Sequence, residues 1–324
     1  MTNSETTQSL RIVIAGTGRL GLGVMRPLLE SQHEVVGILQ NGRRVNRFNR
    51  IVMPLQARLM PSLPSPMQEA TSRGIPVLWL RNIDEKELNT LRDLEPDLLI
   101  TCGFSIILPS SVLDLPKIGC INVHTAMLPL HRGANPCAHV VLNGDTESGV
   151  TVHVTEKGID TGAILAQEIF SIDPSDTSMD VYLASASVTE DVIVDAVDEI
   201  AKTGFSHGVQ QNLDAGSYDK RFEAEDAEID WTESSIKIDR LVRAAVAYSP
   251  AWFTHKKQRI MVARTVFDSS ERGGDPGTLI AYEPHVKVAT GEGSITLLST
   301  YSDRFGGTQW PNAFSRLKPG MPLG

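Results

Sequence analysis

The chain has 324 residues, 41% of them hydrophobic, and a formal net charge of -9 at pH 7. This length exceeds what one hydrophobic core usually organises, so two domains are expected, and the net acidity argues against a protein that coats nucleic acid. The first ten residues lack an export signal, and no apolar run approaches the roughly 20 residues that span a bilayer, so we expect a cytoplasmic protein without a membrane partner.

The first two thirds of the chain alternate short apolar runs with helical patterns. Strands are predicted at LRIVIAG, EVVGILQ, IPVLWL, DLLITC, GCINVH, GVTVHVT and AILAQEIFSI. Helices are predicted at GLGVMRPLLESQ, DEKELNTLRDL, ANPCAHVVLNG and from about Met179 to Lys202. This alternation is typical of an α/β fold with an open, Rossmann-like, mostly parallel sheet and helices on both faces.

The pattern changes after Gly204. A polar stretch leads into the helix ESSIKIDRLVRAAV and then into the strand patterns AWFTHKKQRIMVARTVF, GTLIAYE, HVKVAT and SITLLSTY. Short strands separated by glycine turns indicate a small, OB-like β-barrel at the C-terminus. We therefore predict a catalytic domain over residues 1–207, a linker over 208–226 and a β-barrel domain over 227–324.

The first strand is followed by a glycine motif, Gly16-Thr17-Gly18-Arg19-Leu20-Gly21. Such a motif between a strand and a helix is where a dinucleotide pyrophosphate binds. An NAD site also needs an acid at the end of the second strand, but that strand ends in Gln40 and Asn41. Two readings stay open: glycines that serve a tight turn, or an NADP-dependent reductase whose 2′-phosphate is held by Arg43 and Arg44.

A basic island follows the second strand. No Asp or Glu occurs between Glu34 and Glu69, and five arginines fall in that interval: Arg43, Arg44, Arg47, Arg50 and Arg58. Arginines on a solvated loop need no ligand. The absence of any acid nevertheless favours an anionic partner.

Candidate catalytic residues come from two segments. Asn122 and His124 stand at i and i+2 near the end of a predicted strand, so their side chains share a face beside the binding crevice of an open parallel sheet. Asp160 lies in a glycine-rich loop between two later strands and can return over the same edge. Each residue alone also fits a structural role, as a core histidine or a turn aspartate.

The cysteines and the remaining histidines do not indicate a metal. Cys102, Cys120 and Cys137 show neither a disulfide framework nor a zinc spacing, which favours a reducing compartment. His131 and His139 are separated from a common helical face by Pro136. No metal site is therefore predicted.

The segments INVHTAMLPLHRGANP and GVTVHVTEKGIDTGAILAQ resemble signature segments of the folate-dependent formyltransferases. This family includes methionyl-tRNA formyltransferase, glycinamide ribonucleotide transformylase and the sugar-nucleotide N-formyltransferases. The resemblance implies 10-formyltetrahydrofolate as the formyl donor and Asn122, His124 and Asp160 as catalytic residues. It also implies a folate pocket formed by Phe104, Ser105, Ile106, Ile107, Leu108, Thr155, Glu156 and Lys157.

The expected chemistry follows from these residue types. Attack of an amine on the formyl carbon places negative charge on the formyl oxygen, which the Asn122 amide and a protonated His124 are expected to stabilise. Asp160 is expected to favour the imidazolium. The amine proton would leave through His124 or through a water held by Asp160.

The acceptor amine is predicted from the basic island and the C-terminal region. Both resemble parts of the methionyl-tRNA enzyme, so the first hypothesis is formylation of initiator methionyl-tRNA in translation initiation. The proposed contacts to the acceptor are Arg43, Arg44, Arg47, Arg50 and Arg132. The alternatives are a sugar-nucleotide or peptide amine and, from other classes, an NADP-dependent reductase or a non-catalytic folate or RNA binder. The segment RIVMPLQARLMPSLPSPM is longer and more apolar than the family's usual insertion.

Overall fold

A seven-stranded sheet carries most of the predicted strands. The computed structural model describes residues 8–42, 64–271, 273–282, 284–302 and 319–323, and its large sheet has the order β3-β2-β1-β4-β5-β7-β8. The strands are β1 Arg11–Gly16, β2 Glu34–Asn41, β3 Val77–Leu80, β4 Leu98–Cys102, β5 Gly119–His124, β7 Glu147–Val154 and β8 Ile164–Ser171. β6 (Arg132–Gly133) and β9 (Tyr218–Asp219) form a separate two-stranded sheet.

The direction of the strands locates the binding crevice. β1 lies between β2 and β4 and is parallel to both, and β4 is parallel to β5. The chain therefore winds outward on one side of β1 and then on the other, which places a topological switch point at the carboxyl ends of β1 and β4. β7 runs antiparallel to β5.

Helices cover both faces of this sheet. The helices of the described residues are α1 Gly18–Glu30, α2 Pro66–Ser72, α3 Glu85–Arg92, α4 Ser110–Leu113, α5 Pro136–Asn143, α6 Ser178–Thr203 and α7 Ser235–Ala245, with 3-10 turns at Leu213–Ala215 and Ala224–Ala227; α5 and α7 are not among those that cover this sheet. Because strand side chains alternate between faces, Ile12 and Ile14 pack in the core with α1 and α6, whereas Val13 and Ala15 pack with α3. The predicted fold class is confirmed in this part of the chain.

The glycine motif forms a tight turn, and protein side chains occupy the space next to it. Gly18 has a φ of +61° and begins α1. The Tyr182 hydroxyl accepts a hydrogen bond from the Leu20 amide at 3.2 Å, and a Cβ at Gly18 would lie 2.5 Å from that hydroxyl oxygen. A Cβ at Gly16 would clash with the Cys102 sulfur. The glycines therefore serve close packing, and Tyr182 caps the helix end where a pyrophosphate would bind.

The C-terminal strands form a five-stranded antiparallel sheet of order β10-β11-β14-β13-β12. Its strands are β10 Ala251–His255, β11 Gln258–Asp268, β12 Leu279–Ala281, β13 Val286–Ala289 and β14 Ser294–Ser302. Register shifts on either side of Arg264 bend β11, because bulges increase local twist. The sheet is a curled half-barrel, which agrees with the predicted barrel class.

Two compact units can be separated in the fold. The first contains the described parts of Met1–Gly133, Glu147–Phe170 and Tyr182–Tyr218, and the second contains those of Ala134–Thr146, Ser171–Val181 and Asp219–Gly324. The linear boundaries at 207 and 227 stay a prediction. Within the described ranges, no helix is both long enough and apolar enough to cross a bilayer.

Candidate active site

The three predicted catalytic side chains meet at one edge of the large sheet. Asn122 and His124 come from β5, and Asp160 comes from the loop of residues 155–163 between β7 and β8. This loop is closed at its base, where the Val154 amide donates to the Ala163 carbonyl at 2.9 Å. Asp160 itself has a left-handed backbone, with a φ of +52°. The convergence predicted from the sequence is therefore present in the structure.

Asn122 is held in one orientation by its neighbours. Its Oδ1 accepts from the Thr101 hydroxyl at 2.8 Å. Its Nδ2 lies 3.1 Å from His153 Nε2 and 3.3 Å from Asp160 Oδ1, and it donates to both. A flipped amide would turn its oxygen toward the carboxylate, so these partners fix the Nδ2 group on the side of Asp160.

His124 is buried, with 6% of its surface exposed. Its Nε2 lies 2.9 Å from the His131 carbonyl oxygen, which can only accept, so Nε2 carries the proton. Its Nδ1 lies 3.6 Å from Asp160 Oδ2. Burial lowers the pKa of His124 and outweighs the opposing effect of the Asp160 charge. The expectation of a protonated His124 therefore differs from the structure, because burial disfavours the imidazolium in the unliganded site.

Asp160 is ionised and held by several donors. Its Oδ2 accepts from the Gly133 amide at 2.9 Å, its Oδ1 accepts from Asn122 Nδ2 at 3.3 Å, and Oδ1 also lies 3.5 Å from His153 Nε2. Burial alone raises the pKa of this carboxyl, but the polar contact with His153, the proximity of His124 and the Gly133 amide lower it to about 2. The carboxylate thus stays charged throughout the neutral range.

The lowered pKa of Asp160 predicts how stability depends on pH. An aspartate has a pKa near 3.8 when unperturbed, so a folded value of about 2 stabilises the native state above pH 4. This contribution is about 2 kcal/mol, and it is lost as the pH falls through 2. We expect the difference in unfolding free energy between wild type and Asp160→Asn to shrink by about half between pH 5 and pH 3. Urea titrations at several pH values measure it, and a constant difference would contradict the assigned pKa.

His153 is a site residue that the sequence analysis did not identify. It is 2% exposed, and its Nδ1 donates to the Val154 carbonyl at 2.9 Å. It stands opposite Asn122 in the antiparallel pair of β5 and β7. The GVTVHVT pattern places a histidine on this strand, but only the strand register reveals which residue it faces. Thr101 was missed for the same reason, because it faces Asn122 through the register of β4 and β5.

The predicted folate loop has a mixed environment. Ile106 and Leu108 are buried in the core against the face that α3 covers, and Phe104 packs against the same core. Ile107 is 85% exposed, and the Ser105 hydroxyl accepts from the Asn41 side chain at 2.7 Å. The loop follows β4 at the switch point, so its position suits a ligand, while three of its apolar side chains are used in packing. The folate contact stays a prediction.

The other predicted binding residues that the structure describes lie in the loop that carries Asp160 and in the short strand β6. The Thr155 amide donates to the Cys120 carbonyl at 2.8 Å, and its buried hydroxyl oxygen has no hydrogen-bond partner within the described part of the chain. Glu156 and Lys157 are exposed. Arg132 is partly buried, and its Nε donates to the Ser217 carbonyl at 3.3 Å. The basic island at Arg43, Arg44, Arg47 and Arg50 lies outside the described residues.

The family of the chain is given by two matches. A family model described as "Formyl transferase" matches residues 13–197, and one described as "Formyl transferase, C-terminal domain" matches residues 221–304. The first match alone spans more than half of the chain. The chain therefore belongs to the folate-dependent formyltransferase family, which confirms the resemblance seen in its motifs. The finer resemblance to the methionyl-tRNA enzyme is not confirmed.

Solved structures share this fold. The N-formyltransferase from Helicobacter canadensis, in complex with folinic acid and dTDP-3-aminofucose, has 20% identity and a TM-score of 0.66 over 90% of this chain and 100% of that chain. WlaRD, a sugar 3N-formyl transferase with dTDP and 5-N-formyl-THF, has 19% identity and a TM-score of 0.62 over 91% and 98%. HypX from Aquifex aeolicus, with tetrahydrofolic acid, has 17% identity and a TM-score of 0.59 over 95% and 47%, so this chain spans about half of HypX.

Proposed function

We propose that this protein transfers a formyl group from 10-formyltetrahydrofolate to the primary amine of an amino sugar carried on a nucleotide. The observation that carries the proposal is the convergence of Asn122, His124 and Asp160, with a buried imidazole 3.6 Å from a charged carboxylate. Such a pair suits a reaction in which an amine attacks a carbonyl carbon and loses a proton.

The bonds that form and break in formyl transfer define what the site must do. The amine nitrogen attacks the formyl carbon, the bond from that carbon to folate N10 breaks, and a proton passes from the amine to N10. The products are a formamide and tetrahydrofolate. The site must therefore accept a proton, return it, and stabilise a transient oxyanion.

His124 is the residue that we assign to the proton. Because Nε2–H is bound to the His131 carbonyl, the basic lone pair of the neutral ring is on Nδ1. A proton taken up there is stabilised by Asp160 Oδ2 at 3.6 Å. The lowered pKa of His124 keeps the base form populated before the amine arrives. Of the two proton routes expected from the sequence, this assignment takes the one through His124, with the ring neutral before the amine arrives.

Asn122 is the residue that we assign to the oxyanion. Its Nδ2 group is directed by the Thr101 hydroxyl, which binds the amide oxygen at 2.8 Å. The 3.3 Å contact to Asp160 Oδ1 is the longer of its two Nδ2 hydrogen bonds. We propose that the formyl oxygen replaces that contact during the reaction, since a donor is most effective when aimed at developing charge.

The choice of donor and acceptor is supported by the solved relatives. Two of them were crystallised with a formylated folate together with a dTDP-linked amino sugar or dTDP, and each is matched over nearly its whole length. Arg132 precedes Gly133, whose amide binds Asp160. We propose this arginine as a contact for an anionic acceptor, since guanidinium groups suit phosphates.

A methionyl-tRNA acceptor is the second candidate. It is favoured by the five arginines between Arg43 and Arg58 and by the C-terminal family match, both of which fit a polyanionic substrate. Against it, the region 220–324 holds 14 basic and 13 acidic residues, so it carries little net charge for docking RNA.

An acceptor screen tests the proposal. Purified protein is incubated with 10-formyltetrahydrofolate and with dTDP-linked 3- or 4-amino sugars, charged initiator tRNA or free amino sugars, and tetrahydrofolate release and formamide mass are measured. We expect turnover with a dTDP-amino sugar and little with the tRNA. Turnover with tRNA alone would replace the acceptor, and no transfer to any of these amines would overturn the proposed function.

A further inference from the structure

The chain after α6 contacts both loops that carry the site. We call residues 209–217 the brace segment. At its start, the Val209 amide and carbonyl exchange two hydrogen bonds with Ile164, each 2.8 Å long. At its end, the Ser217 amide donates to the Pro129 carbonyl at 3.1 Å. This segment was predicted to be part of a linker between domains, yet both ends are bonded to elements next to the site.

Gln211 binds the loop that carries Asp160. Its Nε2 donates to the Asp160 carbonyl at 2.9 Å and to the Gly162 carbonyl at 2.7 Å. Both acceptors are main-chain oxygens, so this position needs a hydrogen-bond donor, and a carboxylate would be repelled. The Gln211 side chain therefore holds the backbone of both Asp160 and Gly162.

Ser217 binds the loop that orients His124. Its hydroxyl oxygen accepts from the His131 amide at 2.7 Å, and its carbonyl accepts from the Arg132 amide at 3.2 Å. The carbonyl of the same His131 accepts from His124 Nε2. Ser217 therefore influences the orientation of the His124 imidazole through one intervening residue, His131.

The two residues held by the brace segment share an uncommon backbone. Asp160 has a φ of +52° and His131 a φ of +56°, both left-handed for residues that carry a side chain. Such conformations persist where surrounding contacts enforce them. Gln211 and Ser217 supply contacts of this kind directly on the main chain of these two residues.

We propose that the brace segment positions the His124–Asp160 pair, with Gln211 and Ser217 as positioning residues that do not touch substrate. This inference rests on the proposed function for its kinetic consequence. The geometry does not depend on that function. The separation of His124 Nδ1 and Asp160 Oδ2 is set by two loops, and the brace segment ties these loops together. A displacement of about 1 Å between reacting groups can lower a rate by a factor of 10².

The first test compares Gln211→Met with Gln210→Met. Methionine keeps the length of the side chain without the donor, and Gln210 is an exposed neighbour that serves as the control. We expect Gln211→Met to lower kcat roughly 10- to 100-fold with KM for the acceptor nearly unchanged. We expect Gln210→Met to match wild type. A kcat for Gln211→Met within two-fold of wild type would overturn the proposal.

A second readout needs no substrate. The Asp160 carboxyl faces His124, His153 and the Gly133 amide, and its pKa of about 2 depends on these contacts. Carbon-13 NMR titration of the carboxyl should show this pKa moving up toward 3.8 in Gln211→Met and remaining in place in Gln210→Met. An unmoved pKa would refute positioning even if kcat fell. Because this measurement is made on the free protein, it decides the matter even if no acceptor is formylated.

Ser217→Ala tests the other half of the brace segment. Loss of the acceptor for the His131 amide should loosen the His131 carbonyl and speed solvent exchange of the His124 Nε2 proton, measured by nitrogen-15 NMR. Ser217→Thr keeps the hydroxyl and should restore slow exchange. If Gln211→Met does not fold, as judged by circular dichroism, Gln211→Asn gives the same readout with a shorter amide. Exchange that is equal in wild type, Ser217→Ala and Ser217→Thr would contradict the role of Ser217.

Discussion

His124→Ala is expected to lower kcat for formyl transfer by about 10²- to 10⁴-fold, the usual contribution of a positioned acid–base group. The substitution removes Nδ1, the nitrogen that lies 3.6 Å from the Asp160 carboxylate, and with it the assigned proton acceptor. The ring is 6% exposed and is not one of the predicted folate contacts, so donor affinity should change little. Steady-state kinetics and equilibrium binding of a non-reactive folate separate the two effects.

The control for this prediction is His285→Ala. His285 is an exposed histidine before β13, so its removal changes the composition equally without touching the site. Full activity in both variants would refute the assigned role of His124. Loss of folate binding in His124→Ala, accompanied by an unfolded circular dichroism spectrum, would instead indicate a structural role, because the imidazole also binds the His131 carbonyl.

Asp160→Asn is expected to lower kcat by a similar factor and to move the acid limb of the pH–rate profile. Burial lowers the pKa of His124, and the Asp160 charge raises it by a smaller amount. Removal of that charge takes away the raising effect, so the pKa of His124 falls. The activity that remains should therefore persist to lower pH than in wild type.

The profile of kcat/KM against pH measures this shift. Asp173→Asn is the matched control, since Asp173 also has a lowered pKa, caused by hydrogen bonds from Ser175, but is fully exposed. We expect the control to keep both the rate and the profile of wild type. An acid limb that moves to higher pH in Asp160→Asn would mean that the carboxylate does not stabilise the imidazolium.

The sequence predicted that Asn122 and His124 lie side by side at the crevice because their placement follows from local pattern. Asn122 and His124 stand two residues apart on a strand, so their side chains share a face. The carboxyl end of such a strand borders the crevice of an open parallel sheet. His153 could not be found in this way, because its position opposite Asn122 depends on the register of two antiparallel strands. The neutral state of His124 was also missed, since burial is a tertiary property that no local pattern encodes.

The glycine motif illustrates the opposite case. Gly16, Gly18 and Gly21 match a nucleotide fingerprint, and the sequence left an NADP-dependent reductase open. The hydroxyl oxygen of Tyr182, from a helix more than 160 positions away, accepts a hydrogen bond from the Leu20 amide. The Gln40 side chain binds the Gly16 carbonyl at 3.2 Å at the end of the second strand. Only the folded chain brings these partners to the motif.

The loop between β7 and β8 has a practical consequence for engineering. Because the segment bearing Asp160 leaves and re-enters the sheet at adjacent points, with Val154 and Ala163 bonded to each other, its interior can be exchanged as a cassette while the flanking strands stay intact. Within such a cassette, Gly162 must be retained, since a Cβ there would clash with the Val154 carbonyl. Variants that differ only in the reach of the carboxylate can thus be made on one unchanged scaffold.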